Sequence, residues 1–318
     1  MYDLRSSSVC KRSSEGERPL SLPLMLFALL VILFLSSSLQ TALLLPAFFI
    51  SEYRVIFGMG ESESFLEELL LCFEGFIQSD VGLLIQLLST VFTVVLTLVL
   101  CTVLLKRRPA SLALCKRGAA LHYLLGLVLG GALFAACFGV ASINGSLKLL
   151  GIASPVKVGM ILLLFVGYVV QAASEEILFR GFLMCDLARR ISPVTAVLLS
   201  SAVFATAHFS NAGIGPIAVL NLFLFGVFVS LWVLRTGNLL GACAIHTAWN
   251  FTEGHVFGCR VSGFVADSTV FHCDALTSLS LTNGGAFGPE GGVAVTVVFL
   301  IVIVLLLVFP SRKEKQRG

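Results

Sequence analysis

The chain has 318 residues, of which 57% are hydrophobic and only 12% charged. Soluble globular domains carry about 25% charged residues, so this composition excludes an ordinary soluble protein and points to a membrane protein. The net charge of +3 excludes little, because the placement of the charges carries the information, and no nucleic-acid partner is expected.

A bilayer core of ~30 Å needs about 20 apolar residues per helix. Eight segments qualify: about 22–45, 81–105, 120–142, 157–183, 193–210, 216–234, 238–257 and 292–309. The fold class expected is all-α, a polytopic membrane bundle of about eight transmembrane helices. No fixed-period repeat or domain boundary interrupts it, so residues 1–318 read as a single integral membrane domain. Within it, 1–19 is a cytoplasmic N-terminal tail, 258–291 an extracytoplasmic Gly-rich loop and 310–318 a basic cytoplasmic tail. The first segment is too long for a signal h-region and lacks a small-residue cleavage site, so it is expected to stay as an anchor.

Flanking charges set the orientation. Basic residues cluster at Arg5, Lys11, Arg12 and Arg18, at Lys106, Arg107, Arg108, Lys116 and Arg117, at Arg189 and Arg190, at Arg235, and at Arg312, Lys313, Lys315 and Arg317. The opposite connections are acidic or nearly neutral, the first holding Glu61, Glu63, Glu67, Glu68, Glu74 and Asp80. By the positive-inside rule both termini are cytoplasmic, and the protein is a multi-pass protein of the cell membrane.

Outside the spans, residues 61–78 predict a short interfacial helix, with Ser64 and Glu67 as a capping box and Leu69, Leu70, Phe73, Phe76 and Ile77 mostly on one face. Asn144-Gly145-Ser146 has the form of a glycosylation acceptor. Nine cysteines show no CxxC spacing; Cys101, Cys137 and Cys243 read as small buried hydrophobes, while Cys259 and Cys273 share one polar loop, where pairing is an alternative to free thiols.

The polar residues inside the apolar segments are the main clue. A charge near a bilayer centre costs roughly 2.5–3.5 kcal/mol, yet the fourth segment holds Glu175, Glu176 and Arg180. Glu176 and Arg180 are four apart and share a helix face, so they form a structural pair. Glu175 points about 100° away and has no such partner. The fifth segment adds Phe204 and His208, and the seventh adds His246, Trp249 and Asn250, with His246 and Asn250 on one face. Phe204 and Trp249 read as packing or as an interfacial anchor, and His255 and His272 as solvated. Around the turn Ile191-Ser192-Pro193, Glu175 lies 16 residues before and His208 about 16 after, so both sit ~24 Å up one hairpin. His246, about ten residues past the turn at Gly237, comes to a similar depth.

A carboxylate at that depth is a general base for water. Imidazoles share the proton or donate to an oxyanion, and the Asn250 amide is a neutral donor. A Glu/His/His set also has the composition of a catalytic zinc site.

Glu175-Glu176-x-x-x-Arg180, Phe204-x-x-x-His208 and His246-x-x-x-Asn250, in that order within 76 residues, resemble the three motifs of the CPBP intramembrane protease family. That family takes in CAAX proteases and bacteriocin-processing enzymes and is also called the Abi family. The resemblance covers about 155–257, a motif-bearing catalytic core, and the 284–292 stretch resembles a segment of bacterial members before their last helix. It implies a bundle, commonly of eight spans, whose site is sunk in the membrane and reached from the cytoplasmic side. Glu175 would activate water with His208, His246 and Asn250 would stabilise the oxyanion, and Glu176 would orient the site through Arg180. It leaves two cofactor states open, a divalent metal such as zinc on Glu175, His208 and His246, or none; HExxH is absent. The expected partners are the lipid bilayer and a membrane-associated protein or peptide substrate: prenylated CaaX proteins in eukaryotes, or bacteriocin maturation, self-immunity or other membrane proteolysis in bacteria. The bacterial type is expected here. Two readings from other classes stand beside the intramembrane endopeptidase: a non-catalytic immunity or binding protein of the same bundle, and a proton- or ion-coupled transporter, for which the inverted repeats are not visible.

Overall fold

The computed structural model describes Ser7, Val9 and residues 20–58, 65–265, 267–276 and 279–309. The basic residues at 5, 11, 12 and 18, Glu61, Glu63, the capping residue Ser64 and the tail from 310 onward lie outside the described residues. The eight apolar segments are all helices, and together they form a polytopic membrane bundle. They are α1 (Leu22–Ser51), α2 (Asp80–Leu104), α3 (Ala119–Ile143), α4 (Val158–Leu187), α5 (Pro193–Thr206), α6 (Pro216–Thr236), α7 (Leu239–Phe251) and α8 (Val293–Val308). Among the described residues five, α1 to α4 and α6, are long and apolar enough to cross a membrane. The 14-residue α5 and 16-residue α8 rise only about 21 and 24 Å, less than the ~30 Å core.

Helix ends follow local chemistry. Ser192 accepts from the Thr195 amide with Pro193 in the first turn, and Asn238 accepts from the Leu240 amide. α6 stops at Gly237, whose φ of 72° is a left-handed conformation open to glycine. Among the described residues three helices loosen into wider π turns: α2 over Val99–Leu104, α4 over Ile177–Met184, which carries Arg180, and the continuation of α7 over Thr252–Val256, just after Asn250.

Backbone contact between α3 and α7 sets the depth of the seventh helix. A Cβ on Gly126 would lie 2.4 Å from the Gly241 oxygen, and one on Gly130 would lie 2.2 Å from that of Ile245. These glycines, four apart, let two helices pack backbone on backbone, as small residues do between membrane helices. The residue beside that contact is His246.

The bundle has two distinct ends. At one, Arg107 pairs with Asp186 at 2.6 Å, the Asn238 amide donates to the Cys115 oxygen, and Arg235 donates to the oxygens of Leu306 and Phe309. This is the end where the basic connections meet. At the other, Asp80 accepts from Lys157 and from the amide and hydroxyl of Ser268. There β1 (Leu147–Ile152) pairs antiparallel with β2 (Phe271–Ala275), with Leu147 opposite Ala275 and Ile152 opposite Phe271. The long 258–291 connection is thus structured through most of its described length, with β2, a bridge from Val261 to Phe264 and a turn at Pro289–Gly291. His255, expected to be solvated, is instead fully buried, with Nδ1 2.7 Å from the Ser268 oxygen, because the returning connection covers it. His272 is exposed as expected. The interfacial helix runs over Phe65–Gln78. Cys259 and Cys273 are both free thiols at this end; a hydrogen bond between them, then burial, pushes the Cys259 thiol up, while the same bond pulls the Cys273 thiol down against the effect of burial.

Candidate active site

Three elements, α4, α7 and the turn after α5, bring their polar residues together. The Glu175 Oε2 lies 3.8 Å from His246 Nε2 and 3.9 Å from His208 Nε2. Both imidazoles reach this carboxylate with the same nitrogen because the other is engaged. His208 Nδ1 is 2.9 Å from the Phe204 oxygen, and His246 Nδ1 is 3.0 Å from Glu176 Oε1. Each of those neighbours is an acceptor, so both Nδ1 atoms carry hydrogen, and Nε2 is left to accept in a neutral ring or to donate in a protonated one. Glu175 Oε2 itself has no hydrogen-bond partner within the protein.

The structure differs from expectation at three places here. His208 is not inside the fifth helix: α5 ends at Thr206, and His208 sits in the turn that follows, its amide bonded to the Ala205 oxygen. Glu175 is not without a local partner: Gln171, one turn earlier, donates from Nε2 to its Oε1 at 2.6 Å. Finally, Glu176 and Arg180 do not satisfy one another alone. Arg180 Nη1 meets Glu176 Oε1 at 3.0 Å with both side chains fully buried, but the same oxygen also receives His246. Arg180 Nε and Nη2 and Glu176 Oε2 have no partner, and the guanidinium lies 4.2 Å from the centre of the Phe204 ring. Phe204 thereby touches both charge centres of the site, its ring 4.7 Å from that of His208.

Asn250 lies with the group, its Nδ2 donating to Gln171 Oε1 at 3.2 Å. Gln171 therefore links Glu175 to Asn250, a role missed from the sequence although its spacing of four from Glu175 was there to find. A second missed residue is Glu290. Its Oε1 accepts from Trp249 Nε1 at 3.0 Å and its Oε2 from the Ser262 amide and hydroxyl, so Trp249 both packs and donates. A cavity of about 340 Å³ contains Glu175, His208, His246 and Asn250, with Gln171, Gln86, Thr90, Thr93 and Glu290 among its polar lining.

Among the described residues no group of three His, Cys, Asp or Glu side chains is placed to hold a metal. Metal bonds of about 2.1 Å set tetrahedral donors about 3.4 Å apart. The separations of 3.8 and 3.9 Å between Glu175 and the two imidazoles are wider. The Glu175, His208 and His246 set as placed does not fit the zinc alternative, and no step below passes through one.

The segment that carries all these motifs is also the one that a known family matches. Residues 157–252, α4 through α7, match the family model of type II CAAX prenyl endopeptidases, Rce1-like. The match spans under a third of the 318 residues and leaves out α1 to α3, Glu290 and α8. No curated protein matches the chain. The chain carries an Rce1-like domain at residues 157–252, consistent with the CPBP/CAAX intramembrane protease family.

Proposed function

We propose that this protein is an intramembrane endopeptidase that hydrolyses a peptide bond of a membrane-associated protein or peptide, with the whole chain acting as one membrane domain around the 155–257 core. The observation that carries this reading is the geometry of Glu175: one carboxylate oxygen without a protein partner, facing two imidazole nitrogens at 3.8 and 3.9 Å. Separations beyond about 3.5 Å suit a bridging water rather than direct bonds. A water held there donates one proton toward Glu175 and turns its oxygen toward the cavity.

In the proposed reaction Glu175 takes the proton of that water as its oxygen attacks the scissile carbonyl, with His208 aligning the water through Nε2. Negative charge then develops on the carbonyl oxygen. His246, in its protonated form, and Asn250 supply donors for it. Asn250 has two N–H bonds, of which Gln171 takes one, so the second is free for this task. Glu176 keeps His246 in the required orientation and stabilises its positive form. The proton then passes to the leaving amine as the tetrahedral intermediate collapses.

The test is Glu175→Gln, which keeps shape and removes the base. In proteoliposomes kcat/KM is expected to fall about 10²–10⁴-fold. Undiminished cleavage by this variant would sink the reading.

A further inference from the structure

We propose that one face of α2 is the subsite that holds the backbone of the substrate: Gln86, Thr90 and Thr93 bind a peptide segment in extended form alongside Glu175. The proposal rests on the endopeptidase reading for the reaction it serves, and on the geometry of the cavity wall for the residues it names.

The catalytic groups occupy the part of the cavity contributed by α4, α7 and the turn after α5. The wall that completes it comes from α1 and α2, outside the matched residues 157–252, and there Gln40, Gln86, Thr90 and Thr93 line the cavity. Positions 86, 90 and 93 are four and three apart, so they stand in file on one helix face. α2 is otherwise strongly apolar, with a mean hydropathy of 2.5, and polar side chains in such a span face a cavity or a partner.

Two observations separate a binding strip from a polar seam that merely joins helices. Ser36, between Leu33 and Gln40 on α1, and Thr97, four residues beyond Thr93, continue the two faces, and both hydroxyls are buried without a partner among the described residues. Hydroxyls placed to join α1 to α2 would bond across that contact, and these do not. The second observation is the backbone. α2 tightens at the strip, where the Thr90 amide bonds to the Leu87 oxygen and the Thr93 amide to the Thr90 oxygen, three residues back rather than four.

The contact of α2 with α4 fixes the level of the strip. A Cβ on Gly167 would lie 3.0 Å from Leu87 Cβ, and Gly167, Gln171 and Glu175 follow one another at intervals of four on one face of α4. The two helices run in the same direction, since Asp80 at the start of α2 pairs with Lys157 just before α4. Counted from that contact, Thr93 is six residues on and Glu175 eight, so the strip ends about 3 Å short of the carboxylate along the bundle.

Hydrogen-bonding capacity gives the class of ligand. Gln86 spends Nε2 on the oxygens of Ile77 and Gly82, which leaves Oε1 as an acceptor. Thr90 Oγ1 donates to the Leu87 oxygen and likewise presents lone pairs. These acceptors are about 6 Å apart along the helix, and an extended chain turns N–H groups to one side at every second residue, about 6.6 Å apart. The carbonyl of the second such residue points the same way and meets the Thr93 hydroxyl as donor. Two acceptors followed by a donor at this spacing suit an extended peptide. They do not suit a helix, whose N–H groups are spent within itself. A helical substrate therefore unwinds over this stretch before its scissile bond reaches Glu175.

The experiment uses the full chain in lipid nanodiscs and, as probe, a fluorescent peptide with one leucine–alanine span. The peptide is made with all its amides and as a series in which single backbone amides are replaced by esters, which lack the N–H that Gln86 or Thr90 accepts. Binding is read by anisotropy on a Glu175→Gln background, which prevents turnover. Thr90→Val and Thr93→Val keep shape, and each is expected to raise Kd for the all-amide peptide about three- to tenfold, the ratio one hydrogen bond supplies. Thr90→Val is expected to add nothing on the one ester that lacks its N–H. Thr102→Val, whose hydroxyl bonds the Leu98 oxygen away from the cavity, should leave Kd unchanged. An unchanged Kd in Thr90→Val, a rise equal on every ester, or a peptide that does not bind overturns the proposal. Proteolysis is read separately, on the chain with Glu175 intact and a quenched form of the same peptide. The binding pattern without any cleavage leaves the strip standing and sinks the endopeptidase reading; cleavage without the pattern does the reverse.

Discussion

Glu176 Oε1 holds Arg180 Nη1 and His246 Nδ1 at the same distance, 3.0 Å, with the carboxylate and guanidinium both fully buried. One oxygen thus couples a strut within α4 to the orientation of an imidazole on α7. Removing one partner of a buried pair costs about 3–5 kcal/mol, because the other charge is stranded. Arg180→Ala is therefore expected to lower thermal stability in detergent markedly. Glu176→Gln keeps an acceptor for both partners but leaves the Arg180 charge unbalanced, so it is expected to lose less stability than Arg180→Ala while kcat falls about 10–100-fold, the equivalent of a charge-assisted bond of about 1.5–3 kcal/mol. Unchanged kcat in Glu176→Gln would show that His246 does not depend on it.

Gln171 is expected to act as a positioning residue. Gln171→Glu keeps an acceptor for Asn250 but sets a second carboxylate against Glu175, where a donor now stands at 2.6 Å. Gln171→Met removes both bonds at similar length. Both variants should lower kcat with little change in KM, and Gln171→Glu should be the worse by about tenfold or more, since a lost charge-assisted bond is joined by repulsion. A purely structural role predicts equal loss in the two.

Gly130 should tolerate no side chain, since a Cβ there would lie 2.2 Å from the Ile245 oxygen. Gly130→Ala is expected to push α7 from α3, shift His246 and cost both activity and about 1–3 kcal/mol of stability, the usual cost of overpacking. Gly139 on the same helix meets nothing within 4 Å, so Gly139→Ala is the control and should be neutral or slightly stabilising. Paired thermal denaturation and turnover measurements check the contrast.

Donor spacing at the site predicts that cleavage survives a chelator. With 3.8 and 3.9 Å between Glu175 and the imidazoles, overnight dialysis against phenanthroline is expected to leave kcat/KM within about twofold. Loss of activity restored by added zinc would overturn this.

The Cys259–Cys273 contact predicts selective thiol chemistry. The Cys259 hydrogen bond lowers the Cys273 thiol pKa, so at pH 8 Cys273 holds more thiolate and should alkylate faster, while Cys259, raised and buried, lags. Raising the pH toward the ordinary thiol range should narrow the difference for Cys273 against an unperturbed thiol. Time-resolved alkylation with peptide mapping measures both rates.

Much of the fold was legible because lipid allows few choices. An apolar run of about 20 residues in a membrane must satisfy its own backbone, so each such run is a helix. The Glu176–Arg180 pair was legible for a similar reason, since a spacing of four is a local property of one helix. The end of α5 was not: nothing between Thr206 and Gly213 breaks a helix, and the turn is held instead by contacts to the 260–264 and 286–288 connections. His255 was misplaced for the same cause, because the strand of chain that buries it arrives from residues 268–270.

Sequence alone determined the all-α membrane character, the eight helical segments and the set of polar residues at one depth. These depend on hydropathy, periodicity and counting along single elements. Only the tertiary structure decided that Glu176 serves His246, that Gln171 joins Glu175 to Asn250, and that Glu290 ties Trp249 to Ser262. Those depend on which helices touch: Glu176 and His246 are 70 residues apart, and only the close glycine packing of α3 on α7 and the early end of α5 bring the site together.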